Sequence, residues 1–332
     1  MAISSESGRE QPPNIVAAFV AGFNAVANHL YLILLPVGVD LLLWFAPRLR
    51  VEWLFMPSIQ AMITSLERYG NPTTSILFAQ AWETLLKETN VMGLLRTFPI
   101  GVPSLFGGLS DNATPLGVAR NLQLTNLGEL LGVGGLLLVL GFTLGCLYFA
   151  LLANATAEAP RFDLNRFFGH QVPSALAFCV LFYLVLAILS VPAFLLLALI
   201  AWLLPGLGNV AFFIVALVMI MILFPLIFTP HGIFALDLNP IQAALKSMVL
   251  TQPFLPGLPI FILMALILGQ GLDLLWRSAP ADSWLALVGI LGHAFVYSAI
   301  LAASFVYYRN GIKWMEFLVQ RTATHLAANK SQ

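Results

Sequence analysis

The sequence predicts an all-α fold, a polytopic bundle of about six transmembrane helices with amphipathic helices at the membrane interface. Three observations predict it. Of 332 residues, 60% are hydrophobic and only 9% are charged, and mean hydropathy is +0.91. A soluble domain carries about 25% charged residues, so this chain has too few to cover a water-facing surface. Apolar runs recur at about the 20 residues needed to cross the hydrocarbon core. Breaks rich in Pro, Gly or charge separate the later runs.

The expected spans are residues 29–46, 130–153, 172–204, 209–228, 255–276 and 283–308. An amphipathic lead-in, Asn14 to Asn28, precedes the first. The third is long for one crossing and too short for two with a turn, and Pro192 is expected to kink it. Pro205-Gly206-Leu207-Gly208-Asn209 turns the third span into the fourth. Arg277-Ser278-Ala279-Pro280-Ala281-Asp282 turns the fifth into the sixth. The polar start, Met1 to Pro13, lacks the basic and apolar regions of a secretory signal.

Lys and Arg near span ends set orientation. With the N-terminus inside, Arg161, Arg166, Lys246, Arg309 and Lys313 fall on the cytoplasmic side. The short turns on the other side carry only Arg277, although Arg48 and Arg50 directly follow span one. The pattern favours both termini inside, in a bacterial cytoplasmic membrane.

Residues 47–129 form a long extracytoplasmic loop. Val51 to Tyr69 and Thr74 to Phe98 read as amphipathic helices, the second with Phe78, Trp82, Leu85, Leu86, Met92 and Leu95 on one side. They lie in the interface as a lid, which their aromatics favour, or pack as a small cap. Residues 99–118 are turn-rich, with Pro103, Gly107, Gly108 and Pro115, and read as a surface loop, with a re-entrant loop as the alternative.

Phe162-Asp163-Leu164-Asn165 recurs as Leu236-Asp237-Leu238-Asn239, 74 residues later. Asp or Asn there caps a helix start. Val39-Asp40-Leu41 likewise echoes Leu272-Asp273-Leu274. These echoes suggest three units, each an interfacial helix, a span out and a span back. Ala243-Ala244-Leu245-Lys246-Ser247, then Thr251 and Phe254 before a span, resembles uncharacterised bacterial six-helix membrane families. The membrane domain attached to some glycerophosphoryl diester phosphodiesterases is similar. The resemblance implies a fold and no activity, because the chain has no room for a separate catalytic barrel.

Ionisable residues inside spans are costly and are the first place to look for function. The candidates are Asp40, Asp273, His293 and Gln270. The two carboxylates either bind a cation or share a proton, or they reach the headgroups and pair with Arg48, Arg50 or Arg277. His293, with Tyr297 on the same face, either relays a proton or ligates a metal, or bonds a backbone carbonyl of a neighbouring helix. Gln270 reads as glue between helices. His29 marks a water boundary and His231 a loop. Gly141 and Gly145 form GxxxG and allow close packing. Asn112 and Asn154 begin glycosylation-like triplets.

With 15 basic and 15 acidic residues the net charge is zero, which argues against a nucleic-acid partner. Cys146 and Cys179 read as packing thiols. No P-loop, GxSxG, HExxH or paired-cysteine pattern occurs, so no cofactor and no metal is expected. The expected partners are the lipid bilayer and another membrane protein. A non-enzymatic scaffold or accessory subunit is favoured. The alternatives are a transporter for a small or lipid-like substrate and an intramembrane enzyme acting on lipid.

Overall fold

The computed structural model describes residues 12–69, 72–106, 113–251 and 257–330. Met1 to Gln11, Gly107, Gly108, Asn112 and Phe254 lie outside them. The chain is a helical membrane bundle. Five helices are long and apolar enough to cross a membrane, and a sixth crossing exists if the helices on either side of His29 form one broken span. The helices are α1 (Ile15–Asn28), α2 (Leu34–Phe45), α3 (Glu52–Tyr69), α4 (Pro72–Glu88), α5 (Leu127–Ala155), α6 (Leu164–Arg166), α7 (Val172–Leu203), α8 (Gly208–Leu223), α9 (Thr229–Leu236), α10 (Pro240–Leu250), α11 (Leu258–Trp276) and α12 (Ala286–Lys330). They fall into two compact units.

One unit comprises the described parts of Met1–His29, Phe149–Leu266 and Ala299–Gln332. Asn14 caps α1, its side chain accepting the Ala17 N–H at 3.0 Å. Gly22 lets α1 approach α12: a Cβ there would stand 2.7 Å from the Ala303 Cα. An aromatic ladder follows, Phe19 on Phe261 at 4.9 Å and Phe261 on Tyr307 at 4.4 Å between ring centroids. Helix α7 continues through Pro192, and Pro205–Leu207 turns the chain into α8.

The fourth expected span, 209–228, is α8 followed by a break, and the candidate span runs on to Leu236. Helix α8 stops at Leu223, Phe224–Leu226 makes a 3-10 turn at Pro225, and α9 restarts at Thr229 with Pro230 in its first turn, where proline is tolerated. Ser247 of α10 mends the break. Its hydroxyl donates to the Pro225 carbonyl at 2.6 Å and accepts the Phe228 N–H at 3.0 Å. The sixth expected span, 283–308, also changes. Helix α12 runs 45 residues without a helix-ending proline, well past Tyr308.

The other unit comprises the described parts of Leu30–Tyr148 and Ile267–Ser298. The first expected span, 29–46, is a 3-10 turn (Leu30–Ile33) leading into the 12-residue α2. Two sheets of two strands each appear among the described residues where loop was expected. Strands β1 (Arg48–Arg50), β2 (Ala113–Thr114), β3 (Gly117–Val118) and β4 (Asn121–Gln123) pair as β1 with β4, parallel, and β2 with β3, antiparallel. The amphipathic pair α3 and α4 forms a helical hairpin. The second helix is shorter than expected: α4 stops at Glu88, and Met92 and Leu95 lie buried in a 3-10 turn capped by the Asn90 side chain.

Arg48 and Arg50 hold this segment. The Arg48 guanidinium donates to the Leu43 carbonyl in the last turn of α2. The Arg50 guanidinium donates to the Lys87 and Thr89 carbonyls at the end of α4. Helix C-termini present unbonded carbonyls and partial negative charge, which cations satisfy. Helix α5 opens on a reciprocal cap: Asn126 accepts the Glu129 N–H at 2.9 Å, and Glu129 accepts the Thr125 N–H at 2.8 Å.

Candidate functional site

Asp40 is fully buried on α2, five residues before its end. It accepts three hydrogen bonds from one short stretch of the long loop. The Ser104 hydroxyl and the Phe106 N–H reach Oδ1 at 2.5 and 3.0 Å, and the Leu105 N–H reaches Oδ2 at 3.1 Å. The expected pairing of Asp40 with Arg48, Arg50 or Arg277 is therefore replaced. Both arginines after α2 are committed to helix-end carbonyls, and backbone donors reach the carboxylate instead.

Trp44, one turn further along the same face of α2, reinforces the arrangement. Its ring lies 5.3 Å from that of Phe106, and Nε1 donates to the Ala281 carbonyl at 2.8 Å. Asp40 and Trp44 together clamp the loop stretch 104–106 and the turn between α11 and α12.

Asp273, in the last turn of α11, bridges two side chains. Oδ2 accepts from Arg277 Nε at 2.9 Å, four residues later on the same helix. Oδ1 faces His293 Nδ1 of α12 at 2.8 Å. His293 thus meets a carboxylate and not the expected backbone carbonyl. Its ring is 4.3 Å from that of Tyr297. The Tyr297 hydroxyl accepts from Gln270 Nε2 at 3.2 Å, so Gln270 does bridge two helices. His293 also interacts electrostatically with Asp40. All four candidates therefore belong to one polar cluster. His293 Nε2 is buried with no hydrogen-bond partner among the described residues.

The cluster sits near the ends of its helices. Asp273 is about 5 Å from the end of α11 and His293 about 10 Å from the start of α12, at 1.5 Å per residue. Close packing seals it. A Cβ at Gly292 would collide with the Trp276 ring, and Gly145 of α5 lies against the backbone of Gly101. The GxxxG pair thus serves a loop rather than a second helix.

The first unit carries a second polar group. His231, expected in a loop, is buried on α9. Its Nε2 bonds the Ser304 hydroxyl at 2.7 Å, and its ring lies 4.5 Å from Phe305. The two copies of the aspartate repeat also converge. Asp163 caps α6, and Asn239 caps α10. Between them Asp237 takes a left-handed conformation, φ 49°, and pairs with Arg166. Gln171 donates to Asp237 at 2.7 Å from the end of a π-helical turn, Phe167–Gln171. Sequence reasoning missed Ser104, Gln171 and the half-buried position of Arg309. Ser104 sits in a turn-rich stretch with no local signal, 64 residues from its partner.

Among the described residues no group of three or more His, Cys, Asp and Glu side chains is placed to hold a metal ion. Comparison with family models, curated proteins and solved structures gave no match.

Proposed function

We propose that this membrane protein is a non-enzymatic scaffold or accessory subunit that offers apolar helix surface to another membrane protein, in a bacterial cytoplasmic membrane with both termini inside. The supporting observation is the hairpin of α7 and α8. The most apolar 18-residue stretch of α7 has none of its residues buried within the fold, and that of the α8–α9 segment has 6%. Phe194, Leu195, Phe213 and Ile214 all point outward. Lipid can cover such a surface, and a partner helix can displace lipid at little cost, since both are apolar. Nor does the polar cluster supply a ready transport path, because Asp40 is saturated by three donors from the loop it anchors.

The test is photo-crosslinking in native membranes from residues 195 and 214. A discrete adduct with one membrane protein is expected. Adducts with lipid alone would remove the proposal.

A specific observation favours a second reading, proton-coupled transport: the bond between Asp273 and His293, with Nε2 of the same ring buried and unpartnered. In proteoliposomes it requires a proton flux that Asp273→Asn and His293→Gln abolish. A scaffold gives no flux above that of empty vesicles.

A further inference from the structure

We propose that a cavity in the first unit binds a phosphoryl anion, held by Arg161, Arg166 and Arg309. The cavity measures about 220 Å³, far more than one water needs. All three arginines line it, with Asn154, Asp163 and Gln171, against an apolar wall that includes Ala150 and Phe234.

Arg309 carries the argument. It lies midway along α12, directly after the apolar run, and is half-buried. Its guanidinium is held rigidly by neutral acceptors. Nη1 donates to the Thr156 carbonyl at 2.9 Å and to the Thr156 hydroxyl at 2.8 Å, and Nη2 to the Ala153 carbonyl at 2.5 Å. No described carboxylate lies within 4.0 Å of it. The C-terminal end of α5, where Ala153 and Thr156 stand, offers about half a negative charge. The Glu158 carboxylate acts on this half-buried guanidinium only from beyond 4.0 Å and is itself paired with Lys313, so a nearer anion would be stabilised there.

The local charges leave room for that anion. Asp237 neutralises Arg166, and Lys313 neutralises Glu158 at 2.5 Å. Asp163 lines the cavity with its carboxylate turned to the Asn165 N–H at 2.9 Å. Arg161 and Arg309 have no ion pair among the described residues. Counting Arg161, Arg166 and Arg309 against Asp163 and Asp237 leaves one positive charge in excess. Guanidinium forks match the oxygens of a phosphoryl group, whether it comes from an anionic lipid headgroup or from free phosphate. Fixed backbone acceptors already orient one fork, so binding orders little more of it.

The test uses the full chain in phosphatidylcholine nanodiscs, with phosphatidylglycerol or inorganic phosphate added and binding read by native mass spectrometry and by titration calorimetry. Saturable binding of one equivalent is expected. Loss of one charge-assisted contact weakens it roughly tenfold or more in Arg161→Gln. Because Arg161 is exposed, that variant tests the site even if Arg309→Lys fails to fold. Lys246→Gln, outside the cavity, leaves binding unchanged. Saturation by phosphatidylglycerol alone assigns the anion to a lipid headgroup, and saturation by inorganic phosphate assigns it to a soluble source. Absence of saturable binding to either, or equal binding by wild type and Arg161→Gln, would overturn the proposal.

Discussion

Replacing Asp40 with alanine removes one acceptor from three donors at once. The Ser104 hydroxyl can rotate toward another acceptor. The Leu105 and Phe106 N–H groups cannot, because they belong to a backbone clamped between Asp40 and the Trp44 ring. A buried donor left unsatisfied costs about 1–3 kcal/mol, so two cost about 2–6 kcal/mol. Ser104→Ala is milder, about 1–2 kcal/mol, because Asp40 keeps both N–H donors. In the double variant the Ser104 change should add almost nothing, since its partner is already gone. The assay is unfolding of the detergent-purified protein, with limited proteolysis of residues 47–129 as a local readout. The loop should become cleavable in Asp40→Ala before the rest of the chain unfolds. The reasoning is refuted if Asp40→Ala unfolds within about 0.5 kcal/mol of wild type, the size of an ordinary surface change.

Three further changes probe the packing. Gly145→Ala would place a Cβ 2.7 Å from the Gly101 Cα, an overpacking worth about 1–3 kcal/mol, whereas Gly135→Ala meets nothing within 4 Å and should be neutral or stabilising in the same unfolding assay. Trp44→Phe keeps the ring against Phe106 and leaves the Ala281 carbonyl without its donor, lowering stability by about 1 kcal/mol by denaturant titration. Ser247→Ala orphans the Phe228 N–H at the α8–α9 break and should cost about 1–3 kcal/mol, with faster amide exchange at Phe228 than in α7.

The membrane helices were legible because hydrocarbon imposes one simple rule, a long apolar run with its amides bonded internally. Helix α7 follows its run almost residue for residue. Capping was equally local: Asn14, Asp163 and Asn239 each bond an N–H two or three residues away. What escaped depends on long-range or graded terms. His231 reads as a loop residue, yet Pro230 before it sits in the first turn of α9 and starts a helix, and Ser247 supplies the bonds that the break loses. Arg309 reads as a water-facing end, yet nothing in α12 forces the helix to stop, so the arginine stays in register. The cluster was half legible. Asp40, Asp273, His293 and Gln270 stood out by being polar among apolar neighbours, while their partners are mostly set by tertiary contacts. Asp273 with Arg277 is the exception, an i, i+4 pair visible in the sequence. Strands β1 and β4 bring together residues some 70 positions apart and carry no alternation long enough to announce a strand.

The central physical claim is that the bare faces of α7 and α8 are stable because hydrocarbon surrounds them. Spin labels at residues 194 and 217, in liposomes, test it by collision with dissolved oxygen and with a water-soluble nickel chelate. Phe194 is 70% and Leu217 58% exposed from the fold itself, so the surroundings alone decide the result. The account predicts frequent oxygen collisions and almost none with nickel at both positions. Frequent nickel collisions at both would place the hairpin in water and contradict it.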